Sequence, residues 1–109
     1  RLELVDDTGN TRLLIRLKDG QPSLAMLDAN GMVRSSYFLT KRGDAKLSMI
    51  ADDKTVRAIY GVNKGMAQLS LFGPKGKLRN SVTVSKNGDP NTFHFNEKTK
   101  VIGRIKNKK

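Results

Sequence analysis

The chain has 109 residues, 37% of them hydrophobic, with 21 Lys and Arg against 10 Asp and Glu, for a formal net charge of +11. That length fits one domain with a modest core. The absence of cysteine excludes a disulfide framework and thiolate chemistry, and no stretch approaches the ~20 apolar residues that a spanning helix needs.

In chain order, Leu2 and Leu4 open a short alternating segment that meets a turn at Asp6-Asp7-Thr8-Gly9. A longer alternating run follows, with Leu13, Ile15 and Leu17 pointing one way and Arg12, Leu14, Arg16 and Lys18 the other. The joint Lys18-Asp19-Gly20-Gln21-Pro22 leads to a second unit: Leu24/Met26, the turn Asp28-Ala29-Asn30-Gly31, then Val33, Ser35, Tyr37 and Leu39 against Arg34, Ser36, Phe38 and Thr40. After Lys41-Arg42-Gly43-Asp44 a third unit gives Leu47/Met49, the turn Asp52-Asp53-Lys54-Thr55, and Val56, Ala58, Tyr60 and Val62 against Arg57, Ile59 and Gly61. Beyond Asn63-Lys64-Gly65 come Leu69/Leu71, the turn Gly73-Pro74-Lys75-Gly76, and Leu78, Asn80, Val82 and Val84 against Arg79, Ser81, Thr83 and Ser85. A fifth unit follows Lys86-Asn87-Gly88-Asp89-Pro90. It is read as Phe93/Phe95, the turn Asn96-Glu97-Lys98-Thr99 and an arginine displaced to Arg104. Period-two alternation marks half-buried strands, and the Gly-rich joints supply the positive φ that tight hairpins demand.

The apolar pairs recur at 22, 23, 22 and 24 residues, and in four units an arginine stands ten residues after the first apolar residue. Such repetition predicts an all-β antiparallel meander of about five hairpin repeats, with ten short strands. One face is apolar and the other mixed. The expected ways to cover the apolar face are a solenoid-like stack, a rolled barrel or a sandwich, with a single layer covered by a partner as a further option. The chain reads as a single repeat domain over residues 1–105, in units 1–22, 23–45, 46–67, 68–91 and 92–105, the last a cap, with a basic tail at 106–109.

The unit Leu-x-Leu-x-Asp-x-x-Gly-x-x-Arg, cleanest over Leu24–Arg34, resembles short β-hairpin repeats of bacterial proteins that often sit behind a signal or membrane anchor. The period near 23 also resembles that of MORN repeats, from whose motif this chain departs with two Tyr and no Trp. Both resemblances imply a scaffold or interaction role without catalysis. The chain starts at Arg1 rather than Met, which suggests a processed N-terminus and slightly favours an extracytoplasmic location, secreted or anchored.

Catalysis needs a positioned acid, base, nucleophile or metal. The one histidine, His94, lies between Phe93 and Phe95 on a strand, and the carboxylates sit mainly in turns. The sequence therefore reads as a non-enzyme, with no cofactor, no metal site and no small-molecule substrate. Two sets of residues remain. Arg12, Arg34, Arg57 and Arg79 should form an arginine ladder two strands apart, about 10 Å between rungs. Each should pair with a turn aspartate in units one to three, leaving Arg79 the freest. The charge is also uneven: residues 1–54 hold nine cations and eight anions, residues 55–109 twelve and two. Lys75, Lys77, Arg79, Lys98, Lys100, Arg104, Lys106, Lys108 and Lys109 thus form the candidate surface for an acidic partner. The expected function is a structural or protein-interaction module, self-associating or docked in a larger assembly. The alternative is a domain binding a polyanion: nucleic acid, acidic polysaccharide or an anionic membrane surface.

Overall fold

The computed structural model describes residues 1–106, Lys106 by its backbone alone. Ten strands follow one another: β1 Leu2–Val5, β2 Thr11–Lys18, β3 Gln21–Leu27, β4 Val33–Leu39, β5 Ala45–Ile50, β6 Val56–Asn63, β7 Met66–Phe72, β8 Leu78–Val84, β9 Pro90–Phe95 and β10 Val101–Lys106. Each pairs antiparallel with its chain neighbours, so the order in the sheet is the order in the sequence. The hairpin meander is therefore formed as expected.

Its closure is not. The sheet neither rolls into a barrel, which would require β1 to pair with β10, nor folds over into a sandwich. It is one open layer measuring 53 × 29 × 20 Å. The joints explain this, because each is so short that it ties a strand to the next one in the plane of the sheet. A second layer from the same chain would need a longer connection. In consequence no hydrophobic side chain is buried among the described residues.

Two kinds of joint alternate between units. Asp19-Gly20 and Lys64-Gly65 are two-residue turns with both residues at positive φ, the combination that a tight hairpin with right-twisted strands requires. Thr40–Gly43 and Ser85–Gly88 are four-residue loops, closed by Thr40 N–H to Asp44 O and Ser85 N–H to Asp89 O. Within the units a single loop form recurs, closed by Asp6 N–H to Asn10 O, Asp28 to Met32, Ala51 to Thr55, Gly73 to Lys77 and Asn96 to Lys100. Its fourth residue, Gly9, Gly31, Lys54, Gly76 or Thr99, has positive φ.

This regularity corrects the reading of units three and five. The third loop is Ala51–Lys54, one residue before Asp52–Thr55, because the loop starts four residues after the first apolar residue whatever the turn chemistry offers. The fifth loop starts at Asn96, four residues after Thr92. Thr92 and His94 therefore occupy the positions held elsewhere by the apolar pair, with Thr92 opposite Val82 and His94 opposite Asn80. Phe93 and Phe95 lie on the other face, Phe93 opposite Ser81. The true unit spacing, Leu2, Leu24, Leu47, Leu69, Thr92, is 22, 23, 22 and 23, in step with the alternating joints. Lys106 belongs to β10 rather than to a tail; Lys108 and Lys109 lie outside the described residues.

Candidate functional site

Each within-unit hairpin shifts register by one residue near its loop. The extra residue of that bulge is Arg12, Arg34, Arg57 and Arg79 in turn. The arginine ladder is thus a ladder of bulge residues. A bulge ends regular pairing and re-aims a side chain, and here it aims a guanidinium across to the next unit. Nε of Arg12 donates to Leu27 O at 3.0 Å, Arg34 to Ile50 O at 2.9 Å, Arg57 to Phe72 O at 3.1 Å and Arg79 to Phe95 O at 2.9 Å. These carbonyls end β3, β5, β7 and β9, beyond the last backbone pair with the preceding strand. The side chain takes over where the backbone stops, and it joins one unit to the next.

The fifth bulge residue is Ile102, and not Arg104. No strand lies beyond β10 among the described residues to offer a carbonyl. Arg104 sits within β10 over the Phe93 ring, 5.0 Å from its centroid, with Nη2 donating to Asn91 Oδ1 at 3.2 Å.

The aspartates close loops first and neutralise arginine second. Arg12 approaches Asp6 at 3.5 Å and Arg34 approaches Asp28 at 3.6 Å. The Asn10 amide, followed by the Thr8 hydroxyl, is what holds the Asp6 carboxyl below its ordinary range. The Met32 amide does the same for Asp28, and the Thr55 hydroxyl for Asp53. Unit three was expected to supply an ion pair as well, but Ala51 holds the place of Asp6 and Asp28. Arg57, like Arg79, makes no ion pair among the described residues.

The candidate basic surface divides. Lys75, Lys77 and Arg79 line one groove with Gly73, Pro74 and Glu97. Lys98 lies on the adjacent loop, Asn96–Thr99, and Lys100 directly after it, at the same end of the sheet. Lys106 ends β10 at the opposite end, and Arg104 lies between. Among the described residues no group of three His, Cys, Asp or Glu gathers as a metal site, and no helix is long and apolar enough to cross a membrane. The His94 Nδ1 hydrogen bonds with Asn80 Oδ1.

The faces differ more than the alternation suggested. Cross-strand partners share a face, so the register traces rows across the sheet. One row runs Leu2, Ile15, Leu24, Tyr37, Leu47, Tyr60, Leu69, Val82, Thr92, Ile105. Another runs Leu4, Leu13, Met26, Ser35, Met49, Ala58, Leu71, Asn80, His94, Gly103. Toward the joints lie Leu17/Pro22, Leu39/Ala45, Val62/Ala67 and Val84/Pro90. No Lys, Arg, Asp or Glu stands at any of these positions, in a chain with 31 such residues. The opposite face carries Glu3, Arg16, Lys18, Lys46 and Arg104. It also carries all four phenylalanines, of which Phe38 pairs with Lys46, and Phe93 stacks on Phe95. Alternation places Phe38 there and puts Phe93 and Phe95 on the apolar side; counting the loop offset from Asn96 back to Thr92 would have revealed their true face. At the centre of this face Ser70 and Ser81 are 3% and 6% exposed. By contrast Tyr37 and Tyr60 on the apolar face are 54% and 60% exposed.

The fold and its surfaces define a hairpin-repeat protein, an open single-layer meander cross-linked by bulge arginines. No protein-family profile matches the chain, and no curated protein matches it in sequence.

Proposed function

We propose that this chain is a non-catalytic structural or protein-interaction module, a subunit or scaffold of a larger assembly. The observation that carries the reading is the uncharged face left open across ten strands. Monomers seldom expose contiguous apolar patches beyond a few hundred Å2, and larger ones mark interaction sites. The test is the native mass of the protein extracted gently from its source, before and after a high-salt wash. A defined complex that survives salt is expected, since apolar and backbone contacts are little screened. A species of single-chain mass under both conditions would overturn the reading.

A second reading, binding of a polyanion, is favoured by one observation: Lys75, Lys77 and Arg79 share a groove beside the loop that carries Lys98 and precedes Lys100. Against it, Glu97 lines the same groove. Binding of this kind weakens steeply with salt, in proportion to the phosphates neutralised. Titration of a fluorescent single-stranded oligonucleotide at rising salt, with Lys75→Glu/Lys77→Glu as comparison, tests it. Equal, salt-insensitive titrations for both proteins would refute it.

A further inference from the structure

We infer that the apolar face is covered by the same face of a second copy of this chain, giving a two-sheet sandwich assembled from two molecules. This rests on the reading of the chain as an interaction module and names its partner.

Three observations select a second copy. The first is charge. A chain with net charge +11 keeps its strand cations on the mixed face and its others mainly at loops and joints. An acidic partner would be drawn there, and the apolar face offers it no counter-charge. What matches an uncharged apolar face is another uncharged apolar face. A second copy brings one, and holds its own cations on the far side of two sheets packed about 10 Å apart. At physiological ionic strength the screening length is about 8 Å, so most of the repulsion between copies is screened.

The second observation is relief. A twofold interface must carry both knob and hole on the same patch. Tyr37 and Tyr60 stand as knobs, both opposite Leu47. Between them is a depression bordered by Ala45, Val62 and Ala67, and a second depression lies on the other side of Tyr37, against Ile15 and Pro22. A tyrosine from each copy can enter the depression of the other, and buried tyrosines are frequent anchors of interfaces.

The third observation is area and edge. The sheet spans 53 by 29 Å, about 1,500 Å2 per copy, so overlap of little more than half supplies the ~800 Å2 per partner of a stable interface. Joining by sheet edges is the weaker alternative. A copy added beside β10 would meet Ile102 where the other four units present an arginine, so the cross-unit hydrogen bond would be missing.

The experiment is sedimentation velocity on the whole chain across the micromolar range, with Tyr37→Lys/Tyr60→Lys and Arg16→Glu variants. The expected result is a species of twice 12.1 kDa for the parent and for Arg16→Glu, which alters the mixed face. The double lysine variant should run at the single mass with an unchanged β-sheet circular dichroism spectrum, its dissociation constant raised at least a hundredfold. Because the chain has no cysteine, Tyr60→Cys prepared in light and heavy isotopes should also cross-link into mixed pairs, whereas Arg16→Cys should not. A parent that stays at the single mass, or a dimer indifferent to the tyrosine substitutions, overturns the inference. If that parent nonetheless comes from its source in a salt-resistant complex with a different protein, the module reading stands and only the second copy falls. If it comes out alone, both fall.

Discussion

Replacing Arg57 by methionine removes one guanidinium and keeps its aliphatic stem, which isolates the cross-unit hydrogen bond. Arg57 is the cleanest rung: it donates to Phe72 O at 3.1 Å and makes no ion pair among the described residues. A hydrogen bond from a charged donor contributes about 1.5–3 kcal/mol when well enclosed. Arg57 is half-exposed, so solvent competes for both partners, and we expect about 1 kcal/mol. In a domain near this size that lowers Tm by roughly 4–8 °C, readable by circular dichroism at fixed concentration. Arg57→Lys should lose nearly as much, since an ammonium at the end of a lysine does not reproduce an Nε–H held beside the strand. Arg34→Met should lose a further small increment from the Asp28 ion pair, and that increment alone should vanish in salt. An Arg57→Met melt within a degree of the parent, or full rescue by lysine, would refute the claim that the arginines join units through directional hydrogen bonds.

Other substitutions probe the loops and the pairing. Gly61→Ala should cost about 1–3 kcal/mol in urea unfolding, because a Cβ there would come within 2.4 Å of the Ala45 carbonyl; an unchanged midpoint would disprove the close approach. Lys54→Gly should stabilise by about 0.5 kcal/mol, relieving a side chain held at φ +71° against the entropy of glycine; a destabilised variant would show that the lysine has an unrecognised contact. Ile102→Arg should change Tm by no more than about 0.5 kcal/mol equivalent, and a clear gain would mean that the guanidinium finds a carbonyl. The folded carboxyls of Asp6, Asp28 and Asp53 lie below their ordinary value of 3.8. Their contribution is therefore complete above the unfolded value and disappears as pH falls through the lower folded values. Urea midpoints should be level from pH 7 to about pH 5 and decline below about pH 4. Asp28→Asn keeps an acceptor for the Asn30 and Met32 amides and should shrink the decline; an equal decline would assign it to other groups.

The sequence by itself determined the strands, the hairpins and the recurrence of the arginine, because these depend on neighbours along the chain. Alternation such as Leu13, Ile15, Leu17 against Leu14, Arg16, Lys18 specifies a strand with two unlike faces, and Asp-Gly or Lys-Gly specifies a tight turn. Register was less legible. A one-residue slip exchanges the faces, and in unit five the bulk of Phe93 and Phe95 resembled an apolar pair more than Thr92 and His94 did. The four-residue offset from Thr92 to the loop at Asn96 held the answer, and the pairing of β9 with β8 displays it. The bulges were likewise hidden, since an inserted residue looks like ordinary alternation until its partner strand is known; the pairing then turned Arg12, Arg34, Arg57 and Arg79 from surface cations into joints between units. Closure was decided at the same level. An apolar face states that something must cover it, whereas whether the same chain can do so depends on connection length, and joints of two and four residues hold every strand in one layer.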